Sequence, residues 1–248
     1  MQDDEKLALR NDFARSLRDM ADRDYIAARV MYRFNLGPQF LWSAQQALEK
    51  YLKALLLYNG VSSKGMGHDL RQARGRIGSI KDIRFDLPDH VWIFIARINE
   101  QGDNRYSDRP AVAQGDELLL LDRTVWFIRR YCRWMRGTRN TSEGPVDRLP
   151  RLLSDINLFE EKDACQFRIY GGFLEQVLER RKRLPYDALV WKNFYYGKRR
   201  KRIIRRFTKH SWSINPAHYR APERFKELNG LVYFPDSVKD AFKSTGGV

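Results

Sequence analysis

The chain has 248 residues, of which 43% are apolar and 13% aromatic, enough for one large or two modest domains with a hydrophobic core. Its formal net charge of +15 and pI near 9.9 favour an acidic partner, with nucleic acid ahead of an anionic membrane surface. Two cysteines, Cys132 and Cys165, are too few for a disulfide framework and fit a reducing compartment.

The N-terminus begins with acidic residues and lacks the basic start and apolar run of a signal peptide. No stretch reaches about 18 uninterrupted apolar residues, the length that a membrane-spanning helix requires. We therefore expect a cytoplasmic protein with no membrane partner.

Residues 11–36 are predicted to form a first helix, with Asn11 or Asp12 as its N-cap. Its expected apolar stripe consists of Phe13, Leu17, Met20, Ala21, Ala27 or Ala28, Met31 and Phe34. Gly37 and Pro38 break this helix and lead directly into the next one. Such a short break predicts an antiparallel pair of helices.

The clearest helical period in the chain lies in residues 38–60. One face carries the apolar residues Phe40, Leu41, Ala44, Ala47, Leu48, Tyr51, Leu52, Leu55 and Tyr58. Pro38 suits the first turn of a helix and Gly60 the residue after its end. On the polar face, Glu49 and Lys53 form an (i, i+4) pair, which we assign to the surface or to a dimer interface. We predict a core helix.

The rest of the first half is expected to be helical throughout. Short patterns predict helices at residues 69–76 and 89–102, with a loop at 75–88 and a polar hinge after 102. Residues 116–136 predict a long helix, because Leu118, Leu121, Val125, Ile128, Cys132 and Met135 alternate steps of three and four.

Residues 137–144 are short, polar and β-breaking, which indicates a domain boundary. We expect a helical bundle at 1–137 and a basic, aromatic-rich region with mixed helix and irregular structure at 145–248. Helices are predicted near 172–183, 222–229 and 237–243. The predicted fold class is mainly α.

Positive charge is concentrated in residues 180–209, which hold 13 Lys and Arg against one acid, Asp187. Basic side chains neutralise phosphates and aromatic faces stack on unpaired bases, so this composition suits single-stranded nucleic acid or RNA. The alternative is a solvated basic face whose aromatic residues fill a small core. The candidate binding residues are Arg180, Arg181, Lys182, Arg183, Lys198, Arg199, Arg200, Lys201, Arg202, Arg205, Arg206, Trp191, Tyr195 and Tyr196.

Four stretches resemble the HEPN domain (higher eukaryotes and prokaryotes nucleotide-binding). They are Asp24, Tyr25, Ala28 and Arg29 of the first helix, LWSAQQALEKYLKALLLYNG of the second, Gly67-His68-Asp69-Leu70, and Arg105-Tyr106 before the last long helix. The resemblance covers residues 10–136, and the remaining residues resemble no family that we can name.

The resemblance implies an up-and-down bundle of four to five helices, paired as a homodimer with a groove that contacts nucleotide or RNA. Arg105, Tyr106 and Arg109 would lie in that groove, where phosphate contact and interhelix hydrogen bonding are both open. Many HEPN proteins are metal-independent ribonucleases or toxins with a nucleotidyltransferase partner.

Ribonuclease activity in the family goes with an Arg-x(4–6)-His motif near the start of the last long helix. Arg105 has no histidine in range at that place, which removes the group that would activate a 2′-hydroxyl. Arg84 with His90, and Arg205 with His210, match the spacing elsewhere in the chain. Arg105, Arg205 and His210 are therefore weak catalytic candidates.

Other candidate groups favour structural roles. His68 and Asp69 open a short helix, where an Asp satisfies free backbone N–H groups. His210, His218 and the two cysteines lack metal-ligand spacing, so we expect no metal and no cofactor.

The leading hypothesis is an RNA-binding protein with a HEPN-like bundle. The alternatives are a HEPN-type ribonuclease or toxin, and an interaction module whose basic segment docks an acidic or antitoxin-like protein.

Overall fold

The computed structural model describes residues 2–102, 110–112, 115–142, 144–181, 183–197 and 212–244. Over these ranges the chain is mostly helical, which confirms the predicted fold class. The first five helices are α1 (Gln2–Arg33), α2 (Gly37–Tyr58), α3 (Gln72–Gly78), α4 (Asp89–Gly102) and α5 (Glu117–Arg129).

The first two helices form the predicted hairpin, joined by a three-residue turn. Pro38 lies in the first turn of α2, and Gly60 follows its end with a positive φ of 74°. The predicted apolar face of α2 is buried, with Leu48, Tyr51 and Leu52 at 0% exposure. Both ends and the core role of α2 are therefore confirmed.

The predicted apolar stripe of α1 is partly wrong. Phe13, Met20 and Phe34 are exposed at 59%, 49% and 70%, and the helix begins at Gln2 rather than at Asn11. The face that packs into the core instead carries Ala14, Arg18, Ala21, Asp22, Tyr25, Ala28, Arg29 and Tyr32. Asp22 and Arg29 occupy this face because each has a charged partner on α5, whereas Arg18 pairs with Asp19 of the same helix. Hydrophobic periodicity does not register such pairing.

Helix α4 has its predicted bounds, whereas α5 ends at Arg129 rather than at residue 136. Backbone N–H groups of Tyr131 and Cys132 reach back three residues, to Ile128 and Arg129, which tightens the chain into a turn. Cys132 and Met135 remain buried in this turn. The regular apolar spacing therefore continued past the end of the helix.

Two small antiparallel sheets correct the expectation of an all-helical first half followed by a strand-free boundary. Strand β1 (Ala111–Val112) pairs with β4 (Ser213–Ile214), and β2 (Thr138–Thr141) forms a hairpin with β3 (Gly144–Asp147). Backbone hydrogen bonds between β2 and β3 hold this hairpin together, although its side chains are mostly polar.

The C-terminal helices are α6 (Leu149–Asn157), α7 (Phe173–Arg180), α8 (Arg183–Val190), α9 (Ala217–Arg220), α10 (Phe225–Asn229) and α11 (Asp236–Ser244), and 3₁₀ turns occupy Glu161–Gln166 and Pro222–Arg224. The main hydrophobic core extends past the hairpin through Leu152, Ile156 and Leu174 to Tyr196. A separate small core contains Phe225, Phe234, Val238 and Phe242. The division at residues 137–145 stays a prediction.

Among the described helices, none is both long enough and apolar enough to cross a bilayer.

We expect Leu52→Ala to lower the free energy of unfolding by about 2–5 kcal/mol, since it leaves a cavity in the α2 face of the core. Leu158→Ala is the matched control, because Leu158 is 71% exposed after α6 and its loss changes stability by at most about 0.5 kcal/mol. Urea denaturation followed by circular dichroism measures both. Equal effects of the two substitutions would contradict the assignment of α2 as the core helix.

Candidate nucleic-acid interface

A buried guanidinium joins three helices beneath the basic segment. Arg129 of α5 donates from Nε to Asp22 Oδ1 of α1 at 2.7 Å, and from Nη2 to Glu175 Oε2 of α7 at 2.7 Å. Its Nη1 reaches the other oxygen of Glu175 at 2.9 Å. All three side chains are buried. Such bidentate pairing compensates for the removal of these charges from water and fixes α7 against the bundle.

Backbone groups around α7 complete this network. Leu174 N donates to Asp22 Oδ2 at 3.2 Å, and Ile169 N donates to Glu175 Oε1 at 3.0 Å. A Cβ at Gly172 would lie 2.1 Å from Glu175 Oε2 and 2.7 Å from Arg129 Nη2. Only glycine therefore leaves room for the pair at the start of α7.

A second buried arginine holds α8. Arg29 of α1 is ion-paired with Asp122 of α5, and its Nε donates to the carbonyl of Ala188 at 2.9 Å. Its Nη2 donates to the carbonyl of Trp191. Burial raises the pKa of Asp122, although Arg29 and a 2.6 Å hydrogen bond from Tyr25 oppose this rise. The first part of the basic segment is thus fixed to the bundle from below.

The described basic residues at the start of the segment lie where α7 ends and α8 begins. Arg180 and Arg181 are exposed at the end of α7, where Arg181 has a positive φ of 47°, and Arg183 begins α8. Lys182 and residues 198–211 lie outside the described residues. That range includes Lys198, Arg199, Arg200, Lys201, Arg202, Arg205, Arg206 and His210. Their role in binding stays a prediction.

The aromatic residues of the segment face inward. Tyr195 and Tyr196 are only 3% and 4% exposed, and Tyr195 donates to Glu161 Oε1 at 2.5 Å. Trp191 is partly buried against the core, with the Arg33 guanidinium 5.5 Å from its ring. This burial favours the alternative reading of the sequence, in which these aromatic residues fill a core, and leaves Tyr195 and Tyr196 unable to stack on bases in this conformation.

The groove residues that the family resemblance implies, and the weak catalytic candidates, lie outside the described residues. Arg105, Tyr106, Arg109, Arg205 and His210 are all in this position.

The Arg84 and His90 match lies within the described residues, and its two members differ in environment. Arg84 is exposed, whereas the half-buried His90 ring packs edge-on against Phe127, with centroids 5.4 Å apart. Burial and the nearby charge of Arg123 lower the pKa of His90. Its Nε2 is shielded and has no hydrogen-bond partner among the described residues.

The Glu49 carboxylate links α2 to the turn before α3. It accepts a hydrogen bond from Lys53 Nζ at 2.5 Å and lies 2.9 Å from His68 Nδ1. Burial opposes its ionisation, but hydrogen bonds from Lys53 and His68 outweigh burial and lower the pKa of Glu49. Asp69 accepts from the side chain and backbone of Arg71. These contacts are the kind that a structural role requires.

The cysteines show no sign of reactivity or metal binding. Cys132 is buried, which raises its pKa to about 12. Within the described ranges, no group of three or more His, Cys, Asp or Glu side chains is arranged to hold a metal ion.

These features define a helical bundle to which buried arginines attach a basic C-terminal region. Residues 14–101 match the family model of the HEPN domain. This match over residues 14–101 confirms the resemblance that the sequence predicts. No curated protein and no solved structure shows a significant match. HEPN domains often bind nucleic acids and form dimers, so the match supports a general nucleotide- or RNA-related, or nuclease-like, role.

We expect Glu175→Gln to lower the free energy of unfolding by about 3 kcal/mol at pH 7, because it removes one buried partner of Arg129. The pKa of Glu175 is lowered from 4.5, since Arg129 outweighs burial. Its carboxylate therefore stabilises the fold above pH 4.5, and this stabilisation is lost as the pH falls through the lowered value.

Denaturant titrations between about pH 6 and 3 should consequently show that the free energy of unfolding falls less steeply with acid in Glu175→Gln than in the parent protein. The matched control is Glu179→Gln, an exposed residue of the same helix. If the pH dependence of unfolding in Glu175→Gln equals that of the parent protein, the ion pair of this carboxylate with Arg129 does not stabilise the fold.

Proposed function

We propose that this chain is a HEPN-like nucleotide- or RNA-binding protein whose basic segment, residues 180–209, grips phosphates. The observation that carries the proposal is the net charge of +12 over these 30 residues. Such one-sided charge is self-repulsive, and binding to a polyanion relieves the repulsion. The HEPN match and the exposure of Arg180 and Arg181 support it.

The described contacts favour phosphate rather than base recognition in this segment. Tyr195 and Tyr196 are buried, and the partly buried Trp191 ring packs against the core with Arg33 and Lys192 over it. Contacts from Lys and Arg to the phosphates of a nucleic acid carry no sequence information. We therefore propose that the segment binds RNA with strong salt dependence and little base preference.

The test replaces Arg199, Arg200, Lys201 and Arg202 by Gln and measures binding to a fluorescent single-stranded RNA. Four lost phosphate contacts should weaken binding by about 100-fold at 0.15 M salt and reduce the slope of log K against log salt by about 3. The control removes the same charge from the exposed residues Lys64, Arg71, Arg74 and Lys81, and it should bind like the parent protein.

The outcome separates three function classes. Intact RNA with salt-dependent binding supports a binding protein, whereas RNA shortened without added metal supports the ribonuclease alternative. Salt-independent binding, or none, contradicts the proposal. An acidic protein that co-purifies with the chain and is not displaced by RNA would favour the interaction module, including an antitoxin-like partner.

We also propose a homodimer, since HEPN domains often form dimers. The outer face of α1 exposes the large apolar residues Leu9, Phe13 and Met20, which share one helical face. A second copy of this chain is the partner that this surface would bury.

Sedimentation velocity should show a dimer that Phe13→Ser combined with Met20→Ser converts to a monomer. Leu231→Ser is the control, because Leu231 is 82% exposed and lies far along the chain from α1. A parent protein that stays monomeric, or a variant that stays dimeric, would contradict the use of this face.

A further inference from the structure

Arg133, which follows α5, lines three adjoining surface cavities. The first, of about 360 Å³, lies between the N-terminal half of α1 and the residues around the β2–β3 hairpin. The second, of about 280 Å³, lies between that hairpin and α6, and the third, of about 650 Å³, lies along α6 and the loop before α7. We call the first two cavities together the arginine cleft.

The arginine cleft has more cations than its own carboxylates neutralise. Arg15 and Arg18 are paired with Asp12 and Asp19 at 2.9 and 2.8 Å. The second cavity adds Arg139 and Arg151, together with Asp147 and Asp155.

Arg133 and Arg148, which line both cavities of the cleft, have no carboxylate within ion-pair distance among the described residues. The third cavity differs, because Glu175 and Glu179 line it in addition to Asp155, which it shares with the second cavity. An anion would therefore be attracted to the arginine cleft and not to its neighbour.

The hairpin builds this arrangement. Gly137 has a positive φ of 98°, and a Cβ there would lie 2.8 Å from the Trp134 ring. The carbonyl of Gly137 accepts from Arg148 N at 3.0 Å. This turn places the Arg148 guanidinium 5.2 Å from the centroid of the Trp134 ring. The indole Nε1 of Trp134 also lines this region and has no acceptor among the described residues.

The position of Arg133 is unfavourable without an anion. Burial lowers the pKa of Arg133, and the like charges of Arg148 and Arg18 lower it further, although Asp155 and Glu175 oppose this. A folded protein keeps such self-repelling groups at a cost in stability, as functional sites commonly do. The distribution of charge around Arg133 is therefore that of a site awaiting a negatively charged group.

An exposed aromatic ring lies at the edge of the cleft. Tyr170 lines the first cavity and is 100% exposed, in contrast to the buried Tyr195 and Tyr196. An open aromatic face beside unpaired guanidinium groups matches how proteins hold single strands, with cations on the backbone and rings on the bases.

We propose that the arginine cleft is a phosphate-binding site in which Arg133 and Arg148 contact the backbone of single-stranded RNA and Tyr170 stacks on a base. The identity of the ligand as RNA rests on the proposed function. The phosphate site itself rests on the geometry of the cleft and is separate from the basic segment.

The first experiment measures the unfolding temperature of the full chain with and without inorganic pyrophosphate. Pyrophosphate should raise it, and Arg133→Gln combined with Arg148→Gln should lose most of that rise. Without ligand, Arg133→Gln should keep or increase the unfolding temperature, because it removes a like-charge contact. The control is Arg71→Gln combined with Arg74→Gln, which removes equal charge from exposed arginines of another surface and should respond like the parent protein.

The second experiment measures affinity for a twelve-nucleotide single-stranded RNA. The Arg133 and Arg148 variant should bind about tenfold more weakly than the control at 0.15 M salt, with a slope against log salt smaller by about 1. Tyr170→Ala should lower the affinity for this RNA about fivefold or more, whereas Tyr170→Phe should bind like the parent protein. Tyr233→Ala, at an 80% exposed tyrosine, is the control for loss of a surface ring.

The two proposals fail in different ways. If the 199–202 variant weakens RNA binding and the Arg133 and Arg148 variant leaves it unchanged, the cleft proposal is overturned and the proposed function stands. Absence of RNA binding, with pyrophosphate stabilisation that depends on Arg133 and Arg148, would overturn the proposed function and keep the phosphate site. Equal pyrophosphate and RNA responses in variant and control would overturn the cleft outright.

Discussion

The structure depends on the burial of two guanidinium groups. A charge removed from water destabilises a protein unless ion pairs and hydrogen bonds replace its hydration, and both Arg129 and Arg29 have such partners. The partners come from elements far apart in sequence, so satisfying these two side chains fixes the position of α7 and α8 against α1 and α5. Hydrophobic burial alone lets helices slide and rotate, whereas a bidentate pair has one geometry. The buried ion pairs thus link the HEPN domain to the chain that follows it.

How much of this was predictable differs from helix to helix. The ends and the apolar face of α2 could be predicted, because that face is periodic and both ends carry strong backbone signals. Glu49, which the same pattern assigns to the surface or a dimer interface, is instead only 5% exposed. Helix α1 could be predicted as a helix but not in its orientation, since Asp22 and Arg29 occupy core positions that hydrophobic periodicity treats as solvent-facing. Their partners Arg129 and Ala188 are more than 100 residues away, and no local rule brings them together. The strands escaped prediction because two- and four-residue pairings leave no periodic pattern.

The same limit applies to the candidate binding surfaces. The basic segment is visible in the sequence, because its charges are contiguous. The arginine cleft is not, since Arg18, Arg133 and Arg148 belong to separate stretches of the chain and meet only through the fold. Conversely, Tyr195 and Tyr196 look like binding residues beside so many cations, yet their rings fill the core. Composition therefore locates charge but cannot separate buried rings from exposed ones.

The extension of the main core to Tyr196 has a consequence for how this protein could have been assembled from modules. The HEPN match ends at residue 101, but a chain cut after the β2–β3 hairpin would leave Arg129 without Glu175, Asp22 without the backbone N–H of Leu174, and Arg29 without two of its carbonyl acceptors. The appended region thus supplies partners for charges that are buried in the helical bundle. Recombination or proteolytic trimming at the edge of the matched region would leave those charges incompletely paired and destabilise the fragment.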